Sequence, residues 1–208
     1  TAGYLRKEIA GLKGEPDDPL IGDPIGATAL AARITREMIP YSAEELLAVA
    51  EREFAWCEGE LQKAASAMGC QDGKQALAKI KEVHAAPGGQ AATAVAAGLQ
   101  AIRFVEEKEL VTIPALAGET WRLGMLGVEQ QKSLPYAVYS DPRMLVAYAH
   151  ESMSHEDKLM SMRGNNAAFL HIVTPHELIP GHHLQAFMAR RHAPHRQLFR
   201  TPFFVEGW

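Results

Sequence analysis

The stretch of sequence from which the rest of the chain can be interpreted is His176-Glu177-Leu178-Ile179-Pro180-Gly181-His182-His183-Leu184-Gln185. Three imidazoles and one carboxylate fall within its first eight residues. Neutral imidazole is a common protein ligand of transition metals, and a carboxylate beside such a site can act as a base. The stretch therefore indicates a metal site.

Its spacing differs from the zinc-peptidase motif His-Glu-x-x-His, in which two histidines four residues apart share one helical face. Four residues after His176 the chain has Pro180. In an unbroken helix His182 lies about 120° round the axis from His176, and His183 lies about 10.5 Å further along the same face. Proline removes a backbone donor, and Gly181 tolerates unusual dihedral angles. We therefore predict that the helix is interrupted at Pro180-Gly181 and that the interruption turns His182 toward His176.

A capping role for Glu177 is the alternative. Thr174 as N-cap, Pro175 as the first helical residue and Glu177 two positions later complete a capping box at the start of a helix. This interpretation accounts for Glu177 but leaves three histidines around a Pro-Gly pair unexplained. The sequence favours the metal site.

Glu206 is the predicted third metal ligand, because catalytic zinc sites typically have three protein ligands and one open position. It lies in Phe203-Phe204-Val205-Glu206-Gly207-Trp208, where an unpaired carboxylate would be costly. The alternative for Glu206 is an ion pair with Arg196 or Arg200.

The predicted chemistry follows from these residues. His176, His182 and Glu206 bind Zn²⁺, although Mn²⁺, Co²⁺ and Fe²⁺ accept similar ligands. The ion lowers the pKa of a bound water, and Glu177 takes the proton as general base and delivers it to a leaving amine. The sequence leaves open whether His182 or His183 is the ligand; we expect His182.

Composition narrows the class of protein. The 208 residues are 47% hydrophobic, enough for one sizeable core or two small ones, and the net charge of -4 gives no basic field for nucleic acid. No apolar run reaches the roughly 18 residues of a membrane span. The two cysteines do not form a disulfide framework, and Cys57 is predicted to be a buried thiol on the apolar stripe of a helix.

The remaining patterns predict a mainly α-helical chain with a small β hairpin or sheet in the middle. Helices are expected over 26–38 and 91–107. A long helix is expected to begin at the capping box of Ser42 and Glu45 and to end at Gly69, and a shorter helix is expected to begin after the N-cap Asp72. Short strands are expected at 111–113 and 136–139. The chain is interpreted as a single domain, 1–208, with a helical scaffold in 1–110, a β section in 111–140 and metal-site helices in 141–208, where eight of the nine histidines lie.

Three segments together resemble the bacterial and fungal domain-of-unknown-function 885 family: Lys158–Asn166, His176–Gln185 and Thr201–Trp208. The stretch that begins with Arg36–Tyr41 and continues to Cys57 also resembles this family. The resemblance implies a helical architecture like that of gluzincin peptidases and a zinc-dependent metallopeptidase that acts on a peptide or small amide.

The resemblance also implies the roles of the site residues. It carries over His176, His182 and Glu206 as zinc ligands and Glu177 as the base. Family members are usually longer and continue past Glu-Gly-Trp, so the chain is interpreted as an internal fragment. The competing interpretation is a non-catalytic helical domain whose histidines bind a structural metal or a ligand. The compartment and the oligomeric state are left open, with the cytoplasm slightly favoured.

Overall fold

The computed structural model describes residues 25–198 and 201–207. Backbone contacts group the chain into two compact units, Thr1–Ala50 and Glu51–Trp208. The single-domain organisation stays a prediction. The helices are α1 (Ala27–Arg36), α2 (Ala43–Ala67), α3 (Gly73–Lys81), α4 (Gln90–Glu107), α5 (Ala115–Thr120), α6 (His155–Gly164), α7 (Ala167–Glu177), α8 (His182–His192), α9 (His195–Leu198) and α10 (Pro202–Glu206), and the strands are β1 (Arg122–Met125), β2 (Ala137–Ser140) and β3 (Arg143–Val146).

Local capping signals decide where the first helices begin and end. The N–H of Glu45 donates to Ser42 Oγ at 3.1 Å and the N–H of Ser42 donates to Glu45 Oε2 at 2.7 Å, which confirms the capping box. Asp72 Oδ1 accepts from the N–H of Gln75 at 2.8 Å at the start of α3. Gly69, just after α2, has a φ of +68°, a conformation that favours glycine. These boundaries were predictable because each depends on neighbours in sequence.

The apolar stripe of α2 is less buried than the sequence predicts. Ala65 is the buried residue of this helix, whereas the side chains of Phe54 and Trp56 are exposed. Cys57 is also exposed, so the prediction of a buried thiol was wrong. Helical periodicity indicates which face of a helix is apolar, but it does not indicate whether another element packs on that face.

A three-stranded sheet of order β1-β3-β2 lies in the middle of the chain. Strands β1 and β3 are parallel, with Leu123 opposite Met144, and β2 runs antiparallel to β3, with Tyr139 opposite Met144. The predicted small sheet and the strand near 136–139 are confirmed, and β2 is an edge strand. Strand β3 lies in a section that the sequence assigned to helices.

The predicted strand at 111–113 was wrong. These residues form an irregular link between α4 and α5. Val111 and Ile113 pack against a core cluster that contains Ile179 and Leu184. Their β-branched side chains are therefore partly buried without backbone pairing to another strand.

Two core clusters meet at the link between α7 and α8. One contains Leu178 with Met144, Val146 and Leu170, and the other contains Ile179 with residues of α5 and α8. Leu178 and Ile179 are each 1% exposed. Because consecutive link residues are anchored in different clusters, the path between the two helices is fixed by packing.

Among the described residues, no helix is long and apolar enough to cross a membrane.

Candidate metal centre

The interruption predicted at Pro180-Gly181 is confirmed. Helix α7 ends at Glu177 and α8 begins at His182. The capping alternative was wrong, because Glu177 lies at the C-terminal end of α7 rather than at the start of a helix. The N-cap of α7 is Asn166, whose side chain accepts from the N–H of Phe169 at 3.0 Å. Because the helix already begins after Asn166, the pattern Thr174-Pro175-His176-Glu177 lies within it and does not start a new helix.

Gly181 allows the link to fold back onto the end of α7. Its N–H donates to the carbonyl oxygen of Pro175 at 2.9 Å. A Cβ at this position would overlap the carbonyl group of His176 and lie 2.7 Å from the carbonyl oxygen of Pro175. The absence of a side chain at Gly181 is therefore what lets α8 start beside the last turn of α7.

We expect Gly181→Ala to destabilise the protein by about 3 kcal/mol, because backbone atoms must move to admit the methyl group. Gly118→Ala is the matched control, since a Cβ there meets no atom within 4 Å and alanine is the better helix former in α5. Urea unfolding of both variants measures the difference. Equal midpoints for Gly181→Ala and the unmodified chain would contradict this account of the link.

The two predicted imidazole ligands lie side by side at this link. The ring centroids of His176 and His182 are 4.5 Å apart, and the Nε2 atom of each ring lies 3.6 Å from Oε2 of Glu206. Ligand atoms of His176, Glu177 and His182 also lie within 4.8 Å of one another. The structure thus brings together all four residues that the sequence selected.

The two distances from Glu206 to the imidazoles are close to those that a shared zinc-like ion requires. With metal–ligand bonds of about 2.0–2.1 Å, two ligands of a tetrahedral ion lie about 3.3 Å apart, a few tenths of an ångström less than the observed contacts to Glu206. A metal ligand must be the neutral imidazole. Burial, with the neighbouring charge of His176, lowers the pKa of His182, which favours that form.

Glu206 is more exposed than the sequence predicts. Its side chain is 60% exposed, so burial in an aromatic segment does not explain its contacts with the two imidazoles. Of the proposed arginine partners, Arg196 lies over the ring of Phe204 at 4.4 Å, and Arg200 is outside the described residues.

Glu177 is the buried carboxylate of the group, with 7% of its surface exposed. Burial raises the pKa of Glu177, and this effect is opposed by His176 and by the backbone N–H of Tyr139, which donates to the carboxylate. A carboxylate with a raised pKa accepts a proton more readily than an exposed one. Glu177 is therefore the carboxylate of the group that takes up a proton more readily, whereas the exposed Glu206 lies 3.6 Å from Nε2 of each imidazole.

His183 points away from this group. It is fully buried, with Nε2 3.0 Å from the carbonyl oxygen of Ala117 and Nδ1 3.4 Å from the hydroxyl of Tyr139. Because a carbonyl oxygen only accepts, Nε2 is assigned the proton. Both ring nitrogens of His183 thus contact protein atoms and face away from the other two imidazoles.

Residues that the sequence did not single out surround the group. The hydroxyl of Tyr139 donates to Asp141 Oδ1 at 2.7 Å, and Arg190 forms an ion pair with the other oxygen of Asp141. Burial, followed by the contact with Asp141, raises the pKa of Tyr139 well above its usual range. The only available signal was the position of Tyr139 in a predicted strand, and nothing local connects that strand to Glu177.

A cavity of about 330 Å³ lies against the site, and it is lined among others by Tyr139, His176, Glu177, His182, Gln185 and Glu206. Gln185 is the last residue of the stretch His176–Gln185, and the sequence predicts no contact for its side chain. Its Nε2 donates to the carbonyl oxygen of Phe204 at 2.6 Å, and it lies 3.5 Å from that of Val205.

Comparison with known proteins places the chain in a family. A solved structure of a candidate lipoprotein of unknown function from Shewanella oneidensis is similar, with a TM-score of 0.69 and 21% sequence identity. The match covers 99% of this chain and 39% of that one, so this chain spans about two fifths of its length, and at this identity the likeness concerns the fold. No curated protein matches the chain. The family model described as "Bacterial protein of unknown function (DUF885)" matches residues 1–208, and the chain therefore belongs to this family.

Proposed function

We propose that the chain carries the metal centre of a zinc-dependent metallopeptidase or related amide hydrolase. The observation that supports this most strongly is the meeting of three donors beside a buried carboxylate. Oε2 of Glu206 lies 3.6 Å from Nε2 of both His176 and His182, next to Glu177 with its raised pKa. A capped helix with unrelated histidines would not require this convergence.

In the proposed reaction, His176, His182 and Glu206 hold Zn²⁺ or a similar divalent ion. When bound, the ion supplies Lewis acidity that activates water and polarises an amide carbonyl. Glu177 orients a water molecule in the cavity and takes its proton while the water oxygen attacks the carbonyl carbon. As the C–N bond breaks, Glu177 passes the proton to the departing nitrogen. The substrate is a peptide or a small amide.

The open cavity favours catalysis over a structural metal. Structural zinc sites are usually closed by four protein ligands, whereas catalytic sites have three and leave one position open. Here three donors converge, and they line a cavity. The side chains of His176 and Glu206 are 48% and 60% exposed, so a substrate can reach the donors from solvent.

The decisive experiment measures metal binding and its link to turnover. After dialysis against a chelator, calorimetric titration with Zn²⁺ is expected to give one site per chain. The full-length parent, a longer protein of this family that contains the chain, is expected to hydrolyse peptides from a mixed library. It is expected to lose this activity with the chelator and to regain it on addition of one equivalent of Zn²⁺ or Co²⁺.

Two outcomes would contradict the proposal. One is the absence of any zinc affinity in the folded chain. The other is peptide hydrolysis by the parent that a chelator does not change, since the proposed base would then act without a metal.

A further inference from the structure

The segment that carries Glu206 is tied to α8 by the side chain of Gln185. Gln185 lies three positions after His182 and is 7% exposed. Its Nε2 donates to the carbonyl oxygen of Phe204 at 2.6 Å and lies 3.5 Å from that of Val205, the residue before Glu206. The helix that supplies one predicted ligand therefore also holds the segment that supplies another.

Helix α10 needs such a tether. It has five residues, too few to be stable as an isolated helix. The last four carbonyl groups of any helix have no partner within the helix, and those of Phe204 and Val205 belong to this set. The amide of Gln185 supplies the missing donor. Because the side chain of Glu206 is 60% exposed, burial contributes little to fixing its position.

We propose that Gln185 is a positioning residue, which holds the carboxylate of Glu206 opposite the imidazoles of His176 and His182. This inference rests on the proposed metal site and goes beyond it, since Gln185 sets the affinity for the ion without contacting it. A carboxamide suits this task because its NH₂ group donates to carbonyl oxygens, which a carboxylate cannot do at neutral pH.

The test is a double-mutant cycle on zinc affinity. Gln185→Met keeps the size of the side chain and removes the donor. We expect it to weaken zinc binding about 10- to 100-fold, the range typical of residues that orient ligands. Glu206→Gln is expected to weaken binding at least as much. In the double variant, Gln185→Met is expected to add no further loss, because the ligand that it orients is already gone.

A spectroscopic readout separates positioning from general destabilisation. The visible absorption of the Co²⁺-loaded Gln185→Met protein is expected to shift toward that of Glu206→Gln. Gln131→Leu is the matched control, because Gln131 is also 7% exposed and donates to a carbonyl oxygen, that of Leu126, at 3.1 Å. This control is expected to lower the melting temperature while zinc affinity and the Co²⁺ spectrum stay unchanged.

Gln185→Glu serves as a second variant if Gln185→Met does not fold, and the same loss of affinity is expected. Unchanged zinc affinity in either folded variant would overturn the inference, as would an equal loss in the presence and absence of the Glu206 carboxylate. An unmodified chain that binds no zinc would instead refute the proposed function. If Glu206→Gln weakens binding and the Gln185 variants do not, only the positioning role is lost.

Discussion

Replacing Glu177 with glutamine in the full-length parent is expected to lower kcat about 100- to 10,000-fold, the usual contribution of a general base. Zinc affinity is expected to fall by about tenfold or less, the lower end of the loss that is typical when an outer partner of a metal site is replaced, because glutamine keeps the shape of the side chain. The physical reason is that glutamine has nearly the same shape and still accepts the N–H of Tyr139, but it cannot take up a proton. Steady-state hydrolysis and zinc titration give the two measurements.

Glu206→Gln is the matched control, because it is the same chemical change at the other carboxylate of the group. It is expected to lower zinc affinity first and activity as a consequence, with activity partly restored by excess Zn²⁺. If Glu177→Gln loses zinc as strongly as Glu206→Gln does, Glu177 is a ligand, as its proximity to both imidazoles allows. The assigned roles would then be reversed or shared.

The same variant has a second consequence for the metal-free chain. Burial raises the pKa of Glu177 in the folded protein above the usual range of a glutamate side chain. A raised pKa means that stability is fully present below the unfolded value and is lost as pH rises through the folded value. Glu177→Gln removes this loss, so its melting temperature is expected to exceed that of the unmodified chain at pH 8 and to approach it at pH 4.

The centre of the site was predictable because its decisive residues act on their own backbone. Pro180 cannot continue a helical hydrogen-bond ladder, and Gly181 permits a close approach that any side chain would block. Those two properties are visible in the sequence. They imply that His182 does not follow the face of an unbroken helix from His176, and the observed contact between the two rings agrees with this implication.

The surroundings of the site were not predictable in the same way. The contact of Tyr139 with Glu177 joins an edge strand to the end of α7, and it depends on the packing of the sheet against that helix. The pairing of Gln185 with the carbonyl of Phe204 joins α8 to α10, which are 19 residues apart at these two positions. A sequence pattern reports local preference and periodicity, whereas these partners are set by tertiary packing.

The error at Cys57 has the same origin. The stripe on α2 has the right period for a buried face, but burial requires an opposing surface. Strand β3 was not predicted, although it is paired on both sides. Met144 and Val146 are fully buried within a run that lacks a clear alternation, and their pairing partners come from two different strands. In both cases a segment elsewhere in the chain decides whether the residues are buried or paired. The local sequence does not identify that segment.

Two adjacent histidines are expected to differ sharply when each is replaced by alanine. His182→Ala is expected to weaken zinc binding by more than about 100-fold, beyond the effect of losing an outer partner, because a ligand is removed. His183→Ala is expected to leave zinc affinity within about tenfold and to lower the free energy of unfolding by about 2–4 kcal/mol. Its ring is fully buried, and its removal leaves a cavity and an unpaired carbonyl at Ala117.

Zinc titration and urea unfolding of the metal-free proteins separate these effects, because one reports on the ligand and the other on the core. The pair is its own control, since both variants remove an imidazole from the first turn of α8. His182 has an imidazole and a carboxylate as neighbours in the cavity, whereas His183 contacts the main chain of α5 and the hydroxyl of Tyr139. If His183→Ala loses zinc and His182→Ala retains it, the link between α7 and α8 presents the other ring to the ion and the proposed donor set is wrong.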